Sequence, residues 1–114
     1  MDPPLVLMCI DRNANVLPYF QDAKSFALSV LEESQQAESN RFATRGEDRF
    51  KGVAWHAAES GSPLIDGALA HFDCVVYQAI EAGDHTIFIG EVTDLHLQEG
   101  RPLLYFASAY QQLA

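Results

Sequence analysis

The sequence predicts a mainly β chain of the α+β class, an antiparallel sheet with short helices set between its strands. Three observations predict it. Residues Thr86 to Glu91 alternate, with Thr86, Phe88 and Gly90 on one face and Ile87, Ile89 and Glu91 on the other, which is the period of a strand. The run Phe72 to Glu81 is equally β-prone, and Ala82-Gly83-Asp84 supplies turn residues between the two, so together they form a hairpin. Helical patterning, by contrast, is confined to two short segments between strands.

The elements follow in order. Leu5 to Ile10 is a continuous apolar run after Pro3-Pro4, expected to be a strand buried on both faces. Arg12 to Asn15 is a polar turn, and Leu17 to Ala23 a short helix with Asn15 as its N-cap. Ser25 to Leu31 reads as a strand with Phe26, Leu28 and Val30 facing one way. Glu32 to Thr44 turns polar and helical, with Ser34 capping. Gly52 then breaks the backbone between the anchors Phe50, Val53 and Trp55, and Trp55 is expected in the core or at an interface because an aromatic buries so much area. A loop from Ala57 to Ser62 leads into a short strand and turn, Pro63 to Gly67. The hairpin strands run from Ala68 to Glu81 and onward to about Gln98, Glu99-Gly100-Arg101 turns the chain, and Pro102 to Phe106 is the last strand.

Composition narrows the function classes. At 114 residues the chain is expected to be one small domain, 1–114, close to the size at which burial is only moderately efficient. Hydrophobic residues at 48% and charged residues at 20% place it in the globular range. A net charge of -9 argues against a nucleic-acid-binding surface and against an anionic membrane partner. No run approaches the roughly 18 apolar residues of a membrane span and no signal peptide is present, so a cytoplasmic location is expected. Cys9 and Cys74 sit in apolar β-like runs, which favours reduced, buried thiols over a disulfide. The histidines, His56, His71, His85 and His96, show no zinc-like spacing with each other or with the cysteines, and no metal is expected. Dinucleotide, P-loop and nucleophile-elbow glycine motifs are all missing.

The segment Gly83-Asp84-His85-Thr86-Ile87-Phe88-Ile89-Gly90-Glu91-Val92 resembles the signature hairpin of the flavin reductase-like family. Four further segments resemble that family in the same order: Asp2-Pro3-Pro4-Leu5-Val6, the strand from Phe26 to Leu31, Asp48-Arg49-Phe50-Lys51-Gly52-Val53, and Pro102-Leu103-Leu104-Tyr105-Phe106. The resemblance implies an antiparallel Greek-key split β-barrel of the FMN-binding type, here lacking the family's N-terminal third. It implies an NAD(P)H:flavin oxidoreductase that supplies reduced FMN or FAD to a partner monooxygenase, with FMN in a groove at a homodimer interface. Two readings from other classes stay open. One is a degenerate barrel that binds flavin or a small molecule as a partner subunit, and the other is a barrel recruited as a cyclase.

The resemblance also nominates residues. His85 is the candidate catalytic residue, near the nicotinamide and flavin rings. Asn13, Ala14 and Asn15 stand where the family cradles the flavin phosphate, a place consistent with the anion preference of a helix N-terminus. Ser29 stands for an asparagine at the isoalloxazine edge, and its hydroxyl keeps one donor and one acceptor but loses reach. Arg41 is a candidate phosphate ligand or a solvated helix-face arginine. Tyr110 is the aromatic that survives where the family has Arg-Gly-x-Tyr and this chain has Ala107-Ser108-Ala109-Tyr110.

Overall fold

A computed structural model describes residues 2–44 and 48–113. Its centre is the hairpin of β5 (Ala70–Ala82) and β6 (His85–Leu97), two 13-residue strands joined through Gly83 and Asp84. Gly83 has φ of +61°, the sense that two-residue hairpin turns require and that glycine adopts without steric penalty. β1 (Leu5–Asp11) pairs antiparallel with the turn half of β6, and β2 (Ser25–Val30) pairs antiparallel with the open half of β5, giving the order β1-β6-β5-β2. Register shifts between Asp73 and Cys74 and between Val76 and Gln78 bend the long strands. Bulges raise local twist, so this sheet curls into half a barrel instead of lying flat.

The concave face holds the core. Thr86, Phe88 and Gly90 are all buried, as the alternation predicts. Phe88 and Cys74 are fully enclosed and pack with Phe26, Ile10 and Leu17. Burial pushes the Cys74 thiol above its ordinary pKa, with the Asp73 charge acting in the same direction, so it stays protonated. The short helix α1 (Leu17–Asp22) plugs the barrel mouth: Phe20 lies 6.4 Å from Phe26 and 5.9 Å from Phe88, centroid to centroid. Gly90 permits this packing. A Cβ there would stand 2.5 Å from Phe26 Cζ and 2.9 Å from Cys74 Cβ.

Around the sheet lie α2 (Gln36–Ala43), the small hairpin β3 (Trp55–Ala57) and β4 (Pro63–Ile65), and a second small hairpin, β7 (Leu104–Phe106) and β8 (Ala109–Gln111). Gln35 ties the first two together. Its Oε1 accepts from Glu32 N at 2.9 Å and its Nε2 donates to the Asp66 carbonyl at 2.8 Å, which is why this amide is buried without penalty.

Several local expectations are corrected. β1 is buried on one face only: Leu7 is 65% exposed and Cys9 is exposed, because the strand lies at a sheet edge with its convex side uncovered. Val16 and Gln35 are the helix N-caps, neither with a side-chain cap bond; Asn15 and Ser34 are not, and the Ser34 hydroxyl is taken by Glu32 Oε2. Of the two places expected for Trp55, the core is excluded: it is 47% exposed, standing edge-on to Phe50, which stands edge-on to Phe42. Trp55 to Ala57 and Ala109 to Gln111 form strands that the sequence pattern does not announce.

Candidate functional site

The turn end of the central hairpin places one group of nominated residues together. His85 opens β6 and is register partner to Asp11, the last residue of β1. The Arg12 N–H donates to the Asp84 carbonyl at 2.7 Å, which clamps the loop after β1 against the hairpin turn. His85 Nδ1 lies 2.8 Å from Asp84 Oδ1. That hydrogen bond is the main reason the Asp84 carboxyl is held below the ordinary carboxylate range. Because the carboxylate accepts, Nδ1 carries the proton and Nε2 presents its lone pair. His85 is thus oriented and half-buried, with one nitrogen left for a ligand.

Asn13 and Asn15 sit in the same clamped loop with exposed side chains. Ala14 packs against the core instead. The loop's own hydrogen bonds use the Asn13 N–H, which donates to Asp11 Oδ1 at 2.7 Å, and the Ala14 N–H, which donates to the Asp11 carbonyl at 3.0 Å. The side chains in this loop that an anion would meet are the asparagine amides and the exposed Arg12.

The remaining nominated residues lie at the other end of the sheet. Ser29 is opposite His71, which is opposite His96 near the far end of β6, so Ser29 and His85 are separated by most of that strand, roughly 30 Å. Ser29 Oγ accepts from the Ile65 N–H at 3.1 Å. Arg41 projects from α2, donates from Nη2 to the Asp48 carbonyl at 3.1 Å, and shares a cleft of about 740 Å³ with Lys51, Glu38 and Asp48. Lys51 was not nominated from the sequence; it flanks the turn at Gly52, whose φ of +78° confirms the break expected there. Tyr110 Oη lies 2.9 Å from both Ser39 Oγ and Asn40 Oδ1, fixing β8 against α2.

The residues fit a flavin and a nicotinamide in kind. Two cations, Arg41 and Lys51, suit phosphate. The Ser29 hydroxyl suits the edge of a heteroaromatic ring, the Asn13 and Asn15 amides suit phosphate oxygens, and an oriented imidazole suits a carboxamide.

The model of the flavin reductase like domain matches residues 1–114. The chain belongs to this family. It is 41% identical over 110 residues to the reductase component of the flavin-dependent trigonelline monooxygenase of Acinetobacter baylyi, covering 96% of this chain and 36% of that protein. It is equally 41% identical over 106 residues to the actinorhodin polyketide dimerase of Streptomyces coelicolor, covering 92% of this chain and 60% of that one. Among solved structures, the NADH:FAD oxidoreductase of Streptomyces globisporus in complex with NAD and FAD fragments superposes with a TM-score of 0.94 at 37% identity, over 99% of this chain and 70% of that chain. The curled antiparallel sheet of this flavin reductase domain is therefore the split barrel that the resemblance implied. The chain spans between about a third and two thirds of the length of these two curated relatives. No helix among the described residues is long and apolar enough to cross a membrane.

Proposed function

We propose that this flavin reductase domain is the reductase of a two-component system, oxidising NAD(P)H and reducing free FMN or FAD for a flavin-dependent monooxygenase. The observation that carries the reading is His85, oriented by Asp84 at the mouth of the signature hairpin with its second nitrogen presented. A bound flavin would supply the hydride acceptor, which is why the fold needs no acid–base pair of its own. The chain's own part is positioning. His85 packs beside the nicotinamide and accepts from its carboxamide N–H through Nε2, Ser29 holds the ring edge, the Asn13 and Asn15 amides meet phosphate oxygens, and Arg41 and Lys51 hold phosphate.

Because His85 lies at the turn end of the β5–β6 hairpin and Ser29, on β2, lies beside its open end, we place the working site between two copies of the chain, the turn end of one beside the open end of the other. The convex sheet face supports this: Leu5, Leu7, Val75 and Ile80 are all exposed there and would be covered in such a dimer. Two unpaired cysteines, one exposed, suit the reducing cytoplasm. The relation to a polyketide dimerase keeps a second reading, a barrel that binds flavin or substrate without NAD(P)H oxidation.

The test is spectroscopic. Purified chain mixed with FMN or FAD is expected to oxidise NADH at 340 nm with turnover and to sediment as a dimer. Flavin binding without NADH oxidation would favour the second reading; neither binding nor oxidation would reject both.

A further inference from the structure

At the open end of the central hairpin, antiparallel register sets His71 directly against His96 and Asp73 directly against Asp94. The β3–β4 hairpin lies beside them and adds His56, whose ring centroid is 5.8 Å from that of His71 with the planes near perpendicular. All five residues line one cleft of about 380 Å³. None of them belongs to the flavin and nicotinamide reading above.

The hydrogen bonds behind the rings fix which nitrogens face a ligand. The Ile65 carbonyl, 2.6 Å from His71 Nε2, can only accept, so Nε2 carries the proton and Nδ1 keeps its lone pair. The Asp66 carboxylate, 2.5 Å from His56 Nδ1, does the same for His56 and leaves Nε2 with the lone pair. Pinning the far nitrogen of an imidazole on a carbonyl or carboxylate is the arrangement that metal-ligating histidines use, because it sets the tautomer and raises ligand basicity. Three imidazoles with a carboxylate form a donor set for zinc and its neighbours in the first transition row, and a poor one for calcium or magnesium.

We propose that His56, His71 and His96, with Asp94 as a fourth ligand, bind one divalent transition-metal ion of the zinc class. Asp73 is buried and accepts from the Ser60 N–H and hydroxyl, at 3.2 and 2.6 Å, so it contributes negative charge and not a ligand atom. Closing the site requires rotation of the side chains of His96 and Asp94. Both are exposed, and such rotations take picoseconds to nanoseconds; Asp94 Oδ1 accepts from the Leu95 N–H at 3.0 Å, so Oδ2 is the oxygen offered to the metal. Among the described residues, three donor atoms within 4.8 Å of one another occur only at Asp11, Asp84 and His85, an exposed group that serves here as the control.

The experiment is a Co²⁺ titration of the chelator-treated full chain followed by visible absorption, with Zn²⁺ stoichiometry by calorimetry. One equivalent is expected, with the intense visible bands of low-symmetry four-coordinate Co²⁺. His56→Ala and His96→Ala, both at exposed positions, should each weaken binding at least tenfold, with folding checked by circular dichroism. Asp66→Asn, which touches no metal, should weaken it about 10- to 100-fold and keep the bands. His85→Ala should leave the metal stoichiometry and affinity unchanged. Wild-type affinity in His96→Ala, loss of binding in His85→Ala, or no uptake of either ion would overturn the proposal.

Discussion

The two halves of the β5–β6 hairpin have the same backbone and opposite uses. In the turn half, every inward residue of β6 is buried, β1 braces one edge and α1 closes the mouth. In the open half, past the bulge at Asp73, histidine pairs with histidine and aspartate with aspartate on one face, while on the other Leu95 and Leu97, opposite Phe72 and Ala70, are exposed. A bulge shifts the register by one residue and so changes which side chains face the core. One strand pair can thereby hold the fold together at one end and present polar groups at the other.

That division can be broken most directly at Phe88. It is 1% exposed and packs on Phe20, so Phe88→Ala is expected to lose about 3–5 kcal/mol of unfolding free energy, measured by urea denaturation. A loss below 1 kcal/mol would mean that the turn half is not the stabilising half. Next in size is Gly90→Ala. Its new Cβ meets a phenylalanine ring and the Cys74 Cβ, so overpacking should cost about 1–3 kcal/mol although the residue added is small. A neutral result would show that Phe26 can move and that the core is looser than the close approach implies.

His85→Ala probes the turn half's function instead of its stability. The side chain is half-buried and its hydrogen bond is to the adjacent Asp84, so the folding midpoint should hardly move. Catalytic efficiency with NADH should fall by an amount equivalent to about 1–3 kcal/mol, the scale of one lost polar contact to a bound ligand, while flavin affinity changes much less. Unchanged efficiency in an active preparation would remove His85 from the site.

What could be read from the chain follows the same division. The central hairpin was legible because alternation over Thr86 to Glu91 and the Gly83 turn are local signals. The one-sided burial of β1 was not, since an apolar run looks the same whether one face or two are covered, and only the neighbours decide. The meeting of His56, His71 and His96 was equally invisible. They come from three strands, and spacing along the sequence carries no information about cross-strand register. Of the nominated site residues, the structure joins His85 to the Asn13–Asn15 loop but leaves Ser29, Arg41 and Tyr110 at the far end, a separation that no single-chain motif could reveal.

The β7–β8 turn gives the smallest and most specific prediction. Ala107 and Ser108 have φ of +54° and +61°, and two consecutive residues of positive φ make a tight hairpin turn of the kind that Asn-Gly or Gly-Gly usually occupies. Neither alanine nor serine signals such a turn, which is why β8 escaped the sequence pattern. The resemblance sets Ser108 against the glycine of the family's Arg-Gly-x-Tyr, the residue type suited to such a turn. Holding an L side chain in the left-handed region costs roughly 1–2 kcal/mol, and glycine returns part of that gain through the greater entropy of its unfolded chain. Ser108→Gly should therefore stabilise the protein by about 0.5–1 kcal/mol, seen as a higher urea midpoint at unchanged slope. Because Tyr110 is anchored to Ser39 and Asn40 from this hairpin, the gain should also appear as slower amide exchange in β8. A destabilised Ser108→Gly protein would show that the serine hydroxyl, not the backbone angle, decides the turn.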